Sequence, residues 1–311
     1  MKFVVTGALG HIGSAFIREL PTIRPGAEIV LIDNLSTQRF PSLFNLPAIG
    51  CYRFLDLDVR SVDLRPHFED AHTVVHLAAK TDAAGSVNDA AAVEANNYEA
   101  TERVAAACLD AGARMIHLSS TSVYGTQQET VSEDCSADEL KPQSPYAATK
   151  LKEEALVQGL TAKGLKAIIC RFGTIFGASP GMRFHTAVNK FCWQAVMDQP
   201  LSVWRTAYDQ KRPYLDLVDA VRAFDFIVGR ELFDGRIYNV LTLNATVRHI
   251  VEAIRDFVPE TEVSFVDSPI MNQLSYEVSS QRFRDAGFQF TGDLRRGVGQ
   301  TVALLKLAGG R

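Results

Sequence analysis

The sequence predicts an α/β protein: a doubly wound parallel sheet joined to a smaller, discontinuous C-terminal domain. Three observations carry this. Short apolar runs alternate with helical patterns through the first half of the chain, a glycine-rich turn follows the first run directly, and the rhythm changes past Arg171. Strand, helix and strand in repetition require right-handed crossovers, which lay the strands parallel with helices on both faces.

In chain order the candidate strands are Phe3–Thr6, Glu28–Ile32, Cys51–Leu55, Thr73–Leu77, Arg114–Leu118 and Lys166–Arg171. Each is a nearly unbroken apolar run, as expected where both faces of a sheet are covered. Helical patterns lie between them at Ile12–Leu20, Ala90–Ala111 and Pro145–Leu160. Beyond them, Phe172–Pro213 reads as loops around one helix, near Ala187–Met197, and a short strand at Leu201–Trp204. A helix near Leu217–Val228 and a strand at Arg236–Val240 return to the first domain, and Thr246–Arg311 holds shorter helices with loops. The expected division is residues 1–172 with 212–242 in one domain, and 173–211 with 243–311 in a second that covers the carboxyl ends of the strands. The order contains no internal repeat and no low-complexity segment.

Composition narrows the class. A length of 311 residues accommodates two domains sharing a core, and 47% hydrophobic with 22% charged residues is a globular balance. The formal net charge of −4 offers no strong field toward nucleic acid or a membrane surface, so neither is an expected partner. No apolar run reaches the roughly 18 residues that span a bilayer. Met1–Thr6 reads as a strand from the start, with no room for a signal peptide, and the cytoplasm is the expected compartment. Cys51, Cys108, Cys135, Cys170 and Cys192 are odd in number and lack CxxC spacing, which indicates neither a disulfide framework nor a metal site.

Thr6-Gly7-Ala8-Leu9-Gly10-His11-Ile12-Gly13 spaces its glycines GxxGxxG between a strand and a helix. Glycine is needed where the chain turns tightly and where a pyrophosphate must approach the backbone without meeting a Cβ. The helix starting near His11 would aim its free N–H groups and positive end at the phosphates. Asp33, about 20 residues beyond Gly13, ends the second strand where a carboxylate accepts both ribose hydroxyls of NAD and repels the 2′-phosphate of NADP. No arginine follows it directly in Ile32-Asp33-Asn34-Leu35, so NAD is the expected cofactor of a Rossmann-type domain. The bland alternative is a tight strand-to-helix turn.

Pro145-Tyr146-Ala147-Ala148-Thr149-Lys150 stacks Tyr146 and Lys150 on one face at the start of a helix. A phenol titrates near pH 10, so it becomes a base at neutral pH only beside positive charge. Lys150 and an oxidised nicotinamide would provide that charge. Leu118-Ser119-Ser120-Thr121-Ser122-Val123-Tyr124-Gly125 brings hydroxyls to the carboxyl edge of the sheet, where Ser120 would bond the substrate oxygen that Tyr146 deprotonates. The alternatives are a surface Tyr–Lys pair and a hydroxyl-rich turn that satisfies its own backbone.

Taken together, these residues resemble the extended short-chain dehydrogenase/reductase superfamily, in particular its NAD-dependent epimerase/dehydratase family of UDP-glucose 4-epimerase-like proteins. The motifs run in the family's order: Thr6–Gly13, Asp33-Asn34-Leu35, Leu57-Asp58-Val59-Arg60, His76-Leu77-Ala78-Ala79, Asn97 with Thr101, Ser119–Gly125, Tyr146 with Lys150, Arg171–Gly177 and Arg212–Asp219. The resemblance implies that Gly7, Leu9, Gly10, His11, Ile12 and Gly13 hold the pyrophosphate, and that Asp33 and Asn34 meet the adenosine ribose. It implies adenine contacts from Asp58 and Val59, a pyrophosphate and ribose path along Leu77, Ala78 and Ala79, and a further cofactor contact from Asn97. Lys150 would also bind the nicotinamide ribose, and Arg212 would grip a substrate diphosphate. The helices Ala90–Ala111 and Pro145–Leu160 are those through which family members dimerise, which implies a homodimer.

Departures from the pattern concern the substrate. Where dehydratases carry Asp-Glu and decarboxylases a Glu after the reactive hydroxyl residue, this chain has Thr121 and Ser122. Without a carboxylic acid there, elimination of water has no evident acid/base partner. The substrate-side Asn becomes Thr174, and an unusual run, Met182-Arg183-Phe184-His185-Thr186, precedes the next helix. Arg183 would replace lost phosphate or sugar contacts, while His185 is read as a packed loop histidine. A late family arginine is not evident in Met271–Tyr276, and Trp193 and Trp204 are read as core. The expected substrate sites are therefore Ser120, Thr121, Ser122, Thr174, Arg183 and Arg212. The expected activity is sugar-nucleotide epimerisation at C4 through a transient 4-keto sugar. A net NAD(P)-dependent dehydrogenase or 4-keto-reductase with the same residues is the first alternative, and a non-catalytic dinucleotide-binding regulatory protein the second.

Overall fold

The computed structural model describes residues 1–81, 90–124, 130–267 and 276–307. Gly125 and Met271–Ser275, named in the sequence motifs, lie outside the described residues. The first half runs β1 (Lys2–Thr6), α1 (His11–Ile23), β2 (Glu28–Asp33), β3 (Cys51–Asp56), α2 (Arg65–Phe68), β4 (Thr73–His76), α3 (Ala90–Ala111) and β5 (Arg114–Ser120). It continues with β6 (Thr130–Val131), α4 (Pro145–Thr161), β7 (Ala167–Phe172), β8 (Thr174–Phe176), α5 (Ala187–Val196), β9 (Leu201–Trp204) and β10 (Lys211–Asp216). The last part is α6 (Leu217–Gly229), β11 (Ile237–Val240), β12 (Leu243–Thr246), α7 (Val247–Arg255), β13 (Val263–Val266), β14 (Glu277–Val278), α8 (Gln281–Asp285) and α9 (Leu294–Lys306).

Seven strands form one parallel sheet in the order β11-β7-β5-β4-β1-β2-β3. This is the doubly wound Rossmann-type α/β fold that the alternation of runs predicts. Strand alternation sends neighbouring side chains to opposite faces. Phe3 and Val5 of β1 join the core beneath α1 and α6, whereas Val4 joins the core beneath α3 and α4. Ile116 and Met115 of β5 divide in the same way. Such double burial explains why these strands read as continuous apolar runs. At the sheet edge, β3 alternates exposed with half-buried positions.

The chain runs outward from β1 through β2 to β3, then returns to place β4 on the other side of β1. Crossovers on either side of β1 therefore diverge, and their carboxyl ends open a crevice where folds of this type bind ligands. Within 212–242, β10 pairs with β8 and β12, while α6 packs on α1 and β11 extends the large sheet beside β7. A separate apolar core gathers α5, α7, α9 and strands β9 and β10.

Trp193 and Trp204 are not core residues: they are 38% and 37% exposed. α5 buries the face bearing Val188, Phe191, Cys192 and Ala195, which leaves Trp193 outside it, where it packs on Phe184 with ring centroids 5.4 Å apart. In β9 the alternation buries Leu201 and Val203 and turns Trp204 outward.

Candidate active site

The glycine turn lies at the carboxyl ends of β1 and β4, where the crossovers diverge. Gly7 adopts φ +65°, and a Cβ there would stand 2.6 Å from the Ala78 nitrogen and 2.7 Å from the Leu77 carbonyl oxygen. A Cβ at Gly13 would stand 2.6 Å from the Gly7 carbonyl oxygen. No side chain fits at either position, so the first helical turn packs directly onto the two strand ends. α1 begins at Gly10 with no side-chain cap and no acid in its first turn. Its leading N–H groups and positive end are thus left for an anion. This pocket without side chains fits the pyrophosphate of a dinucleotide.

Asp33 ends β2 with its carboxylate turned back on the turn: Oδ2 accepts from the Leu9 amide at 3.1 Å and Oδ1 from the Leu35 amide at 3.0 Å. Asn34 donates to Asp58 Oδ2 at 3.2 Å, and the fork of Arg60 holds the same carboxylate at 3.0 and 2.7 Å. The Arg60 hydrogen bonds hold the Asp58 carboxyl down at about 2. Val59 is buried, and Leu77, Ala78 and Ala79 line the end of β4 half-buried. Asn97 reaches across from α3 and bonds both polar groups of the Lys80 peptide, at 2.8 and 2.9 Å. Its amide thus holds the loop after β4 in place.

Two features of this region escape the motif reading. Arg39 lies beside the turn, its guanidinium 3.8 Å from where a Gly10 Cβ would be, with Asp33 within electrostatic reach. The segment after β8 also clasps the turn. Ser179 donates to the His11 carbonyl at 2.8 Å, the Gly181 amide to Ser14 Oγ at 2.9 Å, and His11 Nε2 lies 2.7 Å from the Gly177 carbonyl. Burial lowers His11 to about 4, so it is neutral. Both features join residues far apart in sequence, and neither has a spacing that would reveal it.

The tyrosine is placed by the helix start. Ser144 caps α4 by accepting from the Ala147 amide at 3.2 Å, and Pro145 occupies the first turn. These are start signals with a physical basis, and they fix Tyr146 in the first turn of α4. Tyr146 and Lys150 are buried, and Lys150 Nζ lies 5.8 Å from the phenol ring centroid. Burial raises the phenol above its ordinary 10.0, against which the Lys150 ammonium and Arg183 pull it down. The Ser120 hydroxyl is within hydrogen-bonding reach of the phenol. Burial works against the Lys150 ammonium, but Glu153, Tyr146 and Glu154 together outweigh it, and the lysine stays protonated.

The substrate-side candidates divide. Ser122 Oγ donates to Ser120 Oγ at 2.9 Å, whereas Thr121 is buried and gives its hydroxyl to the Phe172 carbonyl at 3.2 Å. Thr174 begins β8, where it stands opposite Tyr214 of β10. Arg183 lies within electrostatic reach of both Tyr146 and His11. His185 is exposed, not packed, because it sits on the loop before α5 outside either core. Arg212 stacks 5.2 Å from the Tyr276 ring centroid and donates to Gln210 Oε1 at 2.9 Å. Among the described residues no group of three His, Cys, Asp or Glu side chains is placed to hold a metal ion, and no helix is long and apolar enough to cross a membrane.

A glycine-lined crevice at the switch point, with a protonated lysine beside a buried phenol, defines a dinucleotide-dependent enzyme of the Rossmann type. Residues 3–240 match the model of the NAD dependent epimerase/dehydratase family, and the chain belongs to that family, with NAD as cofactor. It is 30% identical over 266 residues to the uncharacterized UDP-glucose epimerase YtcB of Bacillus subtilis, covering 82% of each chain. It is 28% identical over 318 residues to a trifunctional UDP-glucose 4,6-dehydratase/UDP-4-keto-6-deoxy-D-glucose 3,5-epimerase/UDP-4-keto-L-rhamnose-reductase of Arabidopsis thaliana. That match takes in 97% of this chain but 46% of the relative, so the chain spans about half the length of this relative. Among solved structures, MoeE5 in complex with UDP-glucuronic acid and NAD superposes with a TM-score of 0.85 at 26% identity, over 99% of this chain and 100% of that one.

Proposed function

We propose that the chain epimerises a nucleoside-diphosphate hexose at C4, with Tyr146 as the base and a 4-keto sugar as transient intermediate. One observation carries the choice of epimerisation: the turn Thr121–Val123, which follows Ser120 and packs against α4, bears hydroxyls and no carboxylate. Eliminating water from a sugar ring needs a proton donor with carboxylic-acid strength near the leaving group, and a serine or threonine hydroxyl is far too weak an acid. Bound NAD would supply a reversible hydride acceptor for C4. The roles of the chain's own residues follow from chemistry. Ser120 would orient the C4 hydroxyl, Tyr146 would take its proton, and Lys150 would stabilise the phenolate and bind the nicotinamide ribose. Gly7, Gly10 and Gly13 would hold the pyrophosphate against the start of α1, with Asp33 on the adenosine ribose. Ser122, Thr174, Arg183 and Arg212 are assigned to the sugar and its diphosphate, an arginine fork being suited to phosphate oxygens.

Cofactor fate separates epimerisation from a net dehydrogenase. Purified protein incubated with UDP-hexoses should invert C4 with no net NADH appearing, and its NAD should remain bound between turnovers. Stoichiometric NADH would establish the dehydrogenase alternative, and a 6-deoxy-4-keto product would establish dehydration instead. A homodimer through the outer faces of α3 and α4 belongs to the same reading, and sedimentation at working concentration tests it.

A further inference from the structure

Beneath the Tyr146–Lys150 pair lies a second buried acid for which the proposed chemistry has no role. Glu153, one turn along α4, is fully buried. Its Oε2 accepts from Lys150 Nζ at 2.8 Å and from Thr101 Oγ1 at 3.0 Å, with His117 Nε2 at 3.4 Å. Donor order then assigns the neighbouring imidazole. Thr101 has given its proton to Glu153, so its oxygen accepts from His76 Nε2 at 3.2 Å, and His76 Nδ1 accepts from Thr6 Oγ1 at 2.7 Å. The Ala78 amide, on the cofactor side, donates to Thr6 Oγ1 at 3.4 Å. A continuous chain thus runs from the cofactor crevice to Glu153, which receives two donors on one oxygen. Burial raises its carboxyl above the ordinary carboxylate range, while the Lys150 ammonium and the Thr101 hydroxyl pull it down and favour the anion.

Both imidazoles are neutral. Burial, with the Lys150 ammonium second, lowers His76 to about 3 and His117 well below its ordinary value, so the His117–Glu153 contact carries no ion pair. Glu153 Oε1 and both ring nitrogens of His117 have no hydrogen-bond partner among the described residues. An apolar side chain in place of Glu153 would spare the protein this burial penalty. Among the described residues, the charged group that hydrogen-bonds Glu153 is the lysine beside the phenol.

We propose that Glu153 is a positioning residue that draws part of the Lys150 charge away from Tyr146 and so sets the pH at which the phenol becomes a base. The proposal rests on Tyr146 acting as that base. The groups facing the phenol are Lys150 and Glu153 from its own helix, Ser120 from the end of β5 and Arg183 from the loop before α5. Those facing Glu153 are Lys150 and Glu154 on α4, Thr101 on α3, His76 on β4 through Thr101, and His117 on β5. Of these, only Glu153 and Glu154 bring negative charge, and Glu154 is engaged by Arg171. A lysine has three N–H donors, so one held by Glu153 leaves two for the ribose and the phenol.

Glu153→Gln tests this on NAD-loaded protein. The amide keeps the shape, with its carbonyl in the place of Oε2 for Lys150 and Thr101 and its NH2 in the place of the unpartnered Oε1. Two readouts are taken: ultraviolet titration of the phenolate, with Tyr146→Phe as the blank, and the pH profile of kcat/KM. Losing the anion should move both the phenol titration and the acid limb of the profile to lower pH, by about one unit. An unmoved titration with a uniformly lower rate would reduce Glu153 to a packing role and overturn the proposal. If the Gln variant does not fold, Glu153→Asp draws the carboxylate back from Lys150 and should give a smaller shift of the same sign; no shift there is equally fatal. A Tyr146→Phe protein that still turns over would refute the base assignment alone, because the spectroscopic titration judges Glu153 without activity.

Discussion

The Leu9 amide donates to Asp33 Oδ2 at 3.1 Å, so the glycine turn and the acid at the end of β2 form one rigid piece. The carboxylate that orders the turn is also the group assigned to the adenosine ribose. Asp33→Ala should therefore weaken NAD binding by about 1.5–3 kcal/mol, the worth of hydrogen bonds to a charged group. It should also narrow the preference for NAD over NADP. Calorimetric titration with both dinucleotides checks the two effects separately.

Gly181 packs against the same turn from the other side of the crevice. A Cβ there would lie 2.2 Å from the Leu9 carbonyl oxygen and 2.5 Å from that of Gly10. Gly181→Ala must push the segment after β8 off the turn, and the purified protein should retain less NAD while keeping its far-ultraviolet spectrum. Unchanged NAD content would show that the clasp does not hold the cofactor.

Tyr146→Phe removes the acidic proton and leaves the ring packed. Turnover should fall by about 10²–10⁴-fold, the usual worth of a positioned acid or base, with NAD content unaltered. Rate and bound cofactor, measured on one preparation, decide it.

Glu154 and Arg171 form a buried two-point ion pair at 2.8 and 2.7 Å, which ties α4 to β7. Glu154→Gln leaves a buried guanidinium without its counter-charge, at a cost of about 3–5 kcal/mol. Urea unfolding should show that loss, and Arg171→Met in the same background should recover part of it.

Stability should fall as the medium becomes acidic, and the sign follows from the histidines that burial keeps neutral, His11, His76 and His117. His76 and His11 titrate ordinarily at 6.5, yet burial lowers them to about 3 and about 4 in the folded protein. Below 6.5 the unfolded chain takes up protons that the folded chain refuses, so stability is complete above that value and is lost as pH falls toward 4. Each histidine adds about 1.4 kcal/mol per pH unit to the slope within that window. His76→Gln should remove one such increment, as read from urea midpoints across the range.

The glycine turn, Asp33 and the Tyr146–Lys150 spacing were legible because each depends on neighbours in sequence: a tight turn, a strand end, one helical face. Ala90–Ala111 and Leu201–Trp204 coincide with the observed elements for the same reason, since periodicity is local. Strands β8, β10 and β12 were not legible, because they pair only with one another across long stretches of chain. The two tryptophans misled because side-chain type does not say which face of an element is buried.

By itself, then, the sequence determined the alternation of elements, the glycine turn and the helical register of the phenol and its ammonium, all written within a few residues. Only the tertiary structure decided that Glu153, Thr101, His76 and His117 converge under Lys150, and that Arg39 and Gly181 close on the glycine turn. Those meetings arise where parallel strands and the helices covering them bring together residues dozens of positions apart. Their consequences are electrostatic and depend on burial, which no spacing encodes.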